Sequence, residues 1–174
     1  MEQALVLNAS FEPLCVADLG RAVVLVLSGR ASTVEDTGRL LRSPSTELFA
    51  PAVIRLVRYA RIPRTQPPVT RKAVLAIYGH RCVYCGKAGA DSVDHVRPVS
   101  RAIGNPNVWG NVVAACQSKR KGQKSCNGRK GDRLLSELGW PAVRPIVPTR
   151  AQVLAAIHRN QHPSWKQYLN PHAP

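Results

Sequence analysis

The chain has 174 residues and a mass of 19.0 kDa, about one domain with an appendage, which excludes a large multidomain machine. Lys and Arg total 25 against 10 acidic residues, leaving a formal net charge of +15. A polyanionic partner is therefore expected, and nucleic acid fits best because neutralised phosphates release counterions. The longest apolar run, residues 22–27, is far too short to span a bilayer, so no membrane partner is expected. No positively charged leader precedes the first apolar stretch, and the expected location is the cytoplasm.

In chain order, residues 4–7 read as a strand ending at the turn formers of 8–13. Cys15, flanked by Leu14 and Val16, reads as a small buried hydrophobe. Asp18 is a good cap for a helix through Leu27, closed by Gly29. Residues 31–35 and 39–42 are expected to form a hairpin around the polar turn Asp36-Thr37-Gly38. Residues 52–60 suit either a strand or a short helix. This N-terminal part, residues 1–62, reads as scaffold with a DNA-binding role open to it. A stiff Pro/Arg-rich connector follows at 63–69. Thr70 caps a helix through Tyr78, Gly79 ends it, and the chemistry lies beyond, in an expected domain at 70–138. Residues 139–174 offer one more helix, near 150–159, and a Pro-rich tail read as packing.

Four of the five cysteines fall between positions 82 and 126, and with no secretory leader expected this favours metal ligation over disulfides. Cys82-Val83-Tyr84-Cys85-Gly86 has the spacing of a zinc knuckle. Cys116 and Cys126 can complete a closed, structural four-cysteine site, although nine residues separate them where knuckles carry two to four. The alternative is four reduced thiols with no metal. The insert between them carries Lys119, Arg120, Lys121 and Lys124 and adjoins Arg129 and Lys130, a candidate phosphate-gripping surface or else a solvated charge run.

Between and after the pairs come Asp94-His95-Val96-Arg97-Pro98, Asn111, and Cys126-Asn127-Gly128-Arg129-Lys130-Gly131. The order CxxCG, DHxxP, N, C, CNxxKG over residues 80–131 resembles the HNH endonuclease family, the ββα-metal or His-Me finger nucleases. More loosely, the first 60 residues resemble the N-terminal extension of stand-alone bacterial and phage members. Two departures stand out: the stretched second cysteine pair, and Asn127 where the family's name expects His. The resemblance implies an α+β protein in which a small α/β extension precedes a central ββα-metal fold with structural zinc knuckles. It also implies a metal-dependent hydrolase that nicks or cuts DNA. On the family's pattern Asp94 and Asn127 are ligands of a catalytic Mg2+ or Mn2+, His95 is the general base, and Asn111 hydrogen-bonds and orients that base.

The residues support the same chemistry by themselves. Phosphodiester hydrolysis needs an activated water, charge stabilisation on the phosphate, and help for the departing oxygen. His95 is the only histidine between the cysteine pairs, and a neutral imidazole accepts a proton near neutral pH. Adjacent strand residues face opposite ways, so Asp94 and His95 share a site only at a bulge or a strand end. The expected partner is double-stranded DNA, and a two-fold dimer would serve paired cuts. Three rival readings are a non-catalytic zinc-containing DNA-binding module, a nuclease acting on RNA or structured junctions, and a scaffold or assembly partner within a phage or defence system.

Overall fold

The computed structural model describes residues 2–62, 66–117, 125–158 and 162–169. The elements run β1 (Gln3–Leu7), β2 (Pro13–Asp18), α1 (Leu19–Leu27), β3 (Ala31–Arg42), β4 (Glu47–Leu56), α2 (Arg71–Ile77), β5 (Ser92–His95), β6 (Val112–Ala115), α3 (Cys126–Lys130), α4 (Arg150–Ile157) and α5 (Lys166–Leu169). Helices and strands are mixed, as the α+β reading expected. The chain divides into two compact units, Met1–Thr65 with Arg150–Pro174, and Gln66–Thr149. Among the described residues no helix is long and apolar enough to cross a membrane.

The first unit is a four-stranded sheet in the order β2-β1-β4-β3, with β1 parallel to β4 and the outer pairs antiparallel. Strand β1 shows why the order works. Alternation sends Leu5 and Leu7 to one face and Ala4 and Val6 to the other, and both faces are covered. Helix α1 closes the Ala4/Val6 face through Ala22, Leu25 and Val26. Its first turn is capped by Asp18, whose Oδ1 accepts from the Arg21 amide at 2.9 Å. The opposite face is closed by the C-terminal segment, with Trp165 and Leu169 packed on Leu5, Leu7, Ala52 and Val53. Trp165 also donates its indole N–H to the Ala52 carbonyl at 2.8 Å. The turn after β1 is pinned by the buried Asn8, whose Oδ1 accepts from the Ala60 amide and whose Nδ2 donates to the Ala60 carbonyl. A buried side chain with both ends so paired costs little to desolvate.

Three expectations change here. Residues 31–42 form one strand, and the hairpin is β3 with β4, turning where the Ser43 amide meets the Thr46 carbonyl. Asp36-Thr37-Gly38 does turn locally, with Asp36 Oδ1 accepting from the Gly38 amide and Gly38 at φ 74, but the ladder absorbs it as an irregularity. The break falls where Asp36 lies opposite Pro51, which has no N–H to give. Residues 47–56 are a strand, central and buried from Ala50 to Ile54, so 52–56 of the strand-or-helix stretch are strand and 57–60 belong to neither. Cys15 is exposed, because it lies on the edge strand β2 with Leu14 and Val16 taking the packed positions.

The second unit pairs β5 with β6 antiparallel, Asp94 opposite Val113 and His95 opposite Val112. Strand β6 is buried throughout, and Trp109 before it is wholly enclosed, its indole N–H donating to the Pro67 carbonyl at 2.7 Å.

Replacing Trp165 with Ala is expected to cost the first unit about 3–5 kcal/mol of unfolding free energy. Trp165→Phe should cost less, since it loses the hydrogen bond but keeps most of the volume. Urea melts of both variants check this.

Candidate active site and metal centre

Helix α2 delivers the chain to the first cysteine pair. Thr70 Oγ1 caps it by accepting from the Ala73 amide at 3.1 Å, and Gly79, at φ 58, turns the backbone out of it. Cys82 is buried, and its backbone amide bonds the Lys87 carbonyl while Gly86, at φ 70, returns to the Cys82 carbonyl. The knuckle is joined to β6 by the Val83 amide on the Ala114 carbonyl, and Cys116 stands directly after that strand. Cys126 opens α3, which Ser125 caps by accepting from the Gly128 amide at 3.1 Å. A Cβ at position 128 would lie 2.9 Å from Ser125 Oγ, so glycine is needed for the cap to close.

The four sulfurs of Cys82, Cys85, Cys116 and Cys126 all lie within 4.8 Å of one another. A tetrahedral zinc site with bonds of about 2.3 Å places its sulfurs roughly 3.8 Å apart, so a small contraction suffices. The stretched spacing of the second pair is thus no obstacle. The insert with Lys119, Arg120, Lys121 and Lys124 lies outside the described residues. Burial raises the Cys82 thiol, but the amides of Cys116, Cys85 and Tyr84 that bond its sulfur outweigh it and hold it below the ordinary thiol range. Burial, then the sulfurs of Cys116 and Cys85, drive Cys126 well above that range. Four soft donors that resist ionising together fit a divalent cation such as zinc, which binds thiolates and releases their protons.

Helix α3 lies over the face of β5 that carries Ser92 and Asp94. Asn127 Nδ2 donates to Ser92 Oγ at 3.0 Å. One turn on, Lys130 Nζ lies 3.3 Å from Asp94 Oδ2 and donates to the His95 carbonyl at 2.7 Å. Tyr84, from inside the knuckle, gives its hydroxyl to the same Asp94 Oδ2. Burial, followed by the Asp94 carboxylate, pushes the Tyr84 phenol far up, so it stays a donor. Because β5 ends at His95, both neighbours reach one open cleft, lined by Asp94, His95, Pro98, Val99, Ser100, Gly131 and Asp132. Two carboxylates in that cleft are hard oxygen donors suited to Mg2+ or Mn2+.

Two expected roles are corrected. Asn111 does not bond the His95 ring. Its Oδ1 accepts from the Arg97 amide at 2.8 Å, and its Nδ2 donates to the carbonyls of Arg97 and Pro106, which commits both of its amide hydrogens to the loop after β5. The ring is bonded by Asn107, whose Oδ1 lies 2.9 Å from His95 Nε2. Lys130 is 0% exposed and spends its charge on Asp94 and the His95 carbonyl, so it cannot grip phosphate. Arg129 is exposed, its guanidinium 5.5 Å from the centre of the Trp140 ring. Sequence reasoning missed Asn107, Tyr84 and Asp132. The last follows Gly131, whose φ of 54 ends α3 and turns the chain into the cleft, and that glycine was the available signal.

Purified protein is expected to carry about one zinc per chain by elemental analysis. Cys126→Ser should lose it, and strong chelation should unfold the second unit, seen as a loss of circular dichroism.

Comparison with known families matches residues 4–64 to the HNH endonuclease-associated, N-terminal domain, and residues 82–133 to HNH endonuclease. No curated protein and no solved structure gives a match. The second match spans the knuckle, the Asp94/His95 strand end and α3, the parts that build the cleft, and on these grounds the chain carries an HNH endonuclease domain at residues 82–133, with an HNH endonuclease-associated N-terminal domain ahead of it.

Proposed function

We propose that the chain is a metal-dependent endonuclease hydrolysing phosphodiester bonds in double-stranded DNA. The observation that carries this reading is the convergence of Asp94 and His95 on one open cleft within the segment that matches HNH endonuclease. His95 takes the proton from the attacking water. Asn107 Oδ1 can only accept, so Nε2 holds the ring hydrogen and the lone pair falls on Nδ1. Asn111 sets the path of the chain leaving β5 and so the place of the base, without touching its ring. Asp94, with Asn127 as the second ligand and Asp132 as a further carboxylate, would hold Mg2+ or Mn2+. When bound, that ion supplies charge stabilisation for the phosphate and the departing oxygen. Asn127's bond to Ser92 uses its nitrogen and leaves its amide oxygen for the ligand role. Phosphate is gripped by exposed cations, Arg129 among them, together with the basic insert at 119–124.

Supercoiled plasmid incubated with the protein and Mg2+ or Mn2+ is expected to be nicked or cut, and EDTA should abolish this. His95→Ala should retain zinc and lose about 10²–10⁴-fold in rate. Intact plasmid that both proteins retard equally in a gel would instead establish a DNA-binding module. Arg129→Ala is expected to weaken DNA binding across sequences and to lower the slope of log affinity against log salt by about one.

A further inference from the structure

The zinc knuckle and α3 do more than fold the second unit, because each sends one side chain to the same atom. Tyr84 is the residue before Cys85, and its hydroxyl meets Asp94 Oδ2. Lys130 stands four residues after Cys126, one helical turn on, and its ammonium lies 3.3 Å from the same oxygen. The Lys130 ammonium also holds the carbonyl of His95, so one buried cation fixes both neighbours. Neither side chain belongs to the phosphate surface. Tyr84 is packed against Trp140, with ring centres 5.1 Å apart, and Lys130 is wholly enclosed.

We propose that Tyr84 and Lys130 are positioning residues for metal binding in the cleft, fixing the Asp94 carboxylate from two elements that the four-cysteine site anchors. The inference rests on the reading of Asp94 as a ligand of the catalytic ion. With Oδ2 occupied by a hydroxyl and an ammonium, Asp94 offers the cleft one oxygen, Oδ1, in a fixed orientation. The cysteines hold the two donors, the donors hold the carboxylate, and the carboxylate is presented ready for a cation. Groups that orient a ligand in this way are worth about 10–100-fold in metal affinity.

The test uses the full-length zinc-loaded protein and Mn2+ as the probe, with binding followed by the Mn2+ electron paramagnetic resonance signal. Tyr84→Phe keeps the ring against Trp140 and removes only the hydroxyl. It should keep its zinc and its fold while weakening Mn2+ binding about tenfold or more. Plasmid cleavage should then need proportionally more Mn2+ and approach the wild-type rate at saturation. Lys130→Gln, which retains a donor without the charge, should weaken Mn2+ binding further. Wild-type Mn2+ affinity in a zinc-loaded Tyr84→Phe protein would overturn the positioning role, even if Lys130→Gln fails to fold. If the wild type binds Mn2+ no better than Asp94→Ala, the assignment of Asp94 falls, and with it the proposed function.

Discussion

Three separate pieces of the second unit meet at four sulfur atoms: the knuckle after α2, the end of β6, and the start of α3. The apolar cluster around them is built from Leu75, Ala90, Ala114 and Ala115 with the thiols themselves, and the half-buried Tyr78 and Tyr84 pack against it. Its buried members are mostly alanines, which bury little surface each, and a two-stranded sheet with a five-residue helix is marginal without a further cross-link. A metal held by the four thiols would supply that cross-link at the place where the helix must be held. A helix as short as α3 has almost no stability of its own, so its placement over Ser92 and Asp94 follows from Cys126 being tied to the other cysteines.

From that placement comes the burial of Lys130. An enclosed ammonium is costly unless its charge and its donors are met. Asp94 meets the charge, and the His95 carbonyl takes a donor. The arrangement therefore ties the stability of the helix to the geometry of the cleft. Moving Asp94 away would strand a buried cation, and shifting α3 would strand a buried carboxylate. The same lock explains how two neighbours on a strand reach one cleft. Asp94 faces α3 as alternation requires, while His95 is the last residue of β5, its carbonyl held by Lys130 and its ring by Asn107.

Much of this architecture was legible in the chain. The caps Asp18 and Thr70 and the glycines at 29 and 79 marked helices because each signal is local and chemical. The cysteine spacing marked the metal site for the same reason. The reading failed where the partner was distant in sequence. Asp36-Thr37-Gly38 has the chemistry of a turn and makes one, yet β4 was available to pair along the whole of 31–42 and overrode it. Strand β2 was hidden because its side chains alternate weakly, and Cys15 looked buried only because its neighbours are apolar.

At the site, residue types were legible and directions were not. Asp94 and His95 could be named from their order in the chain, but nothing in that order tells which of several asparagines turns toward the ring. Asn111 is placed to see three backbone groups of the loop, and it bonds these rather than the His95 ring. Lys130 is the sharper case. In a chain of net charge +15, a lysine beside an arginine reads as part of the phosphate surface. Helical spacing separates them, since Arg129 and Lys130 differ by 100° around the axis, so one faces solvent while the other faces β5. Neighbouring cations in one short helix thereby take different tasks. The exposed one carries a charge that salt can screen, and the enclosed one sets geometry that salt does not reach. Under the proposed nuclease reading, substitutions one residue apart are expected to weaken grip and cleavage separately.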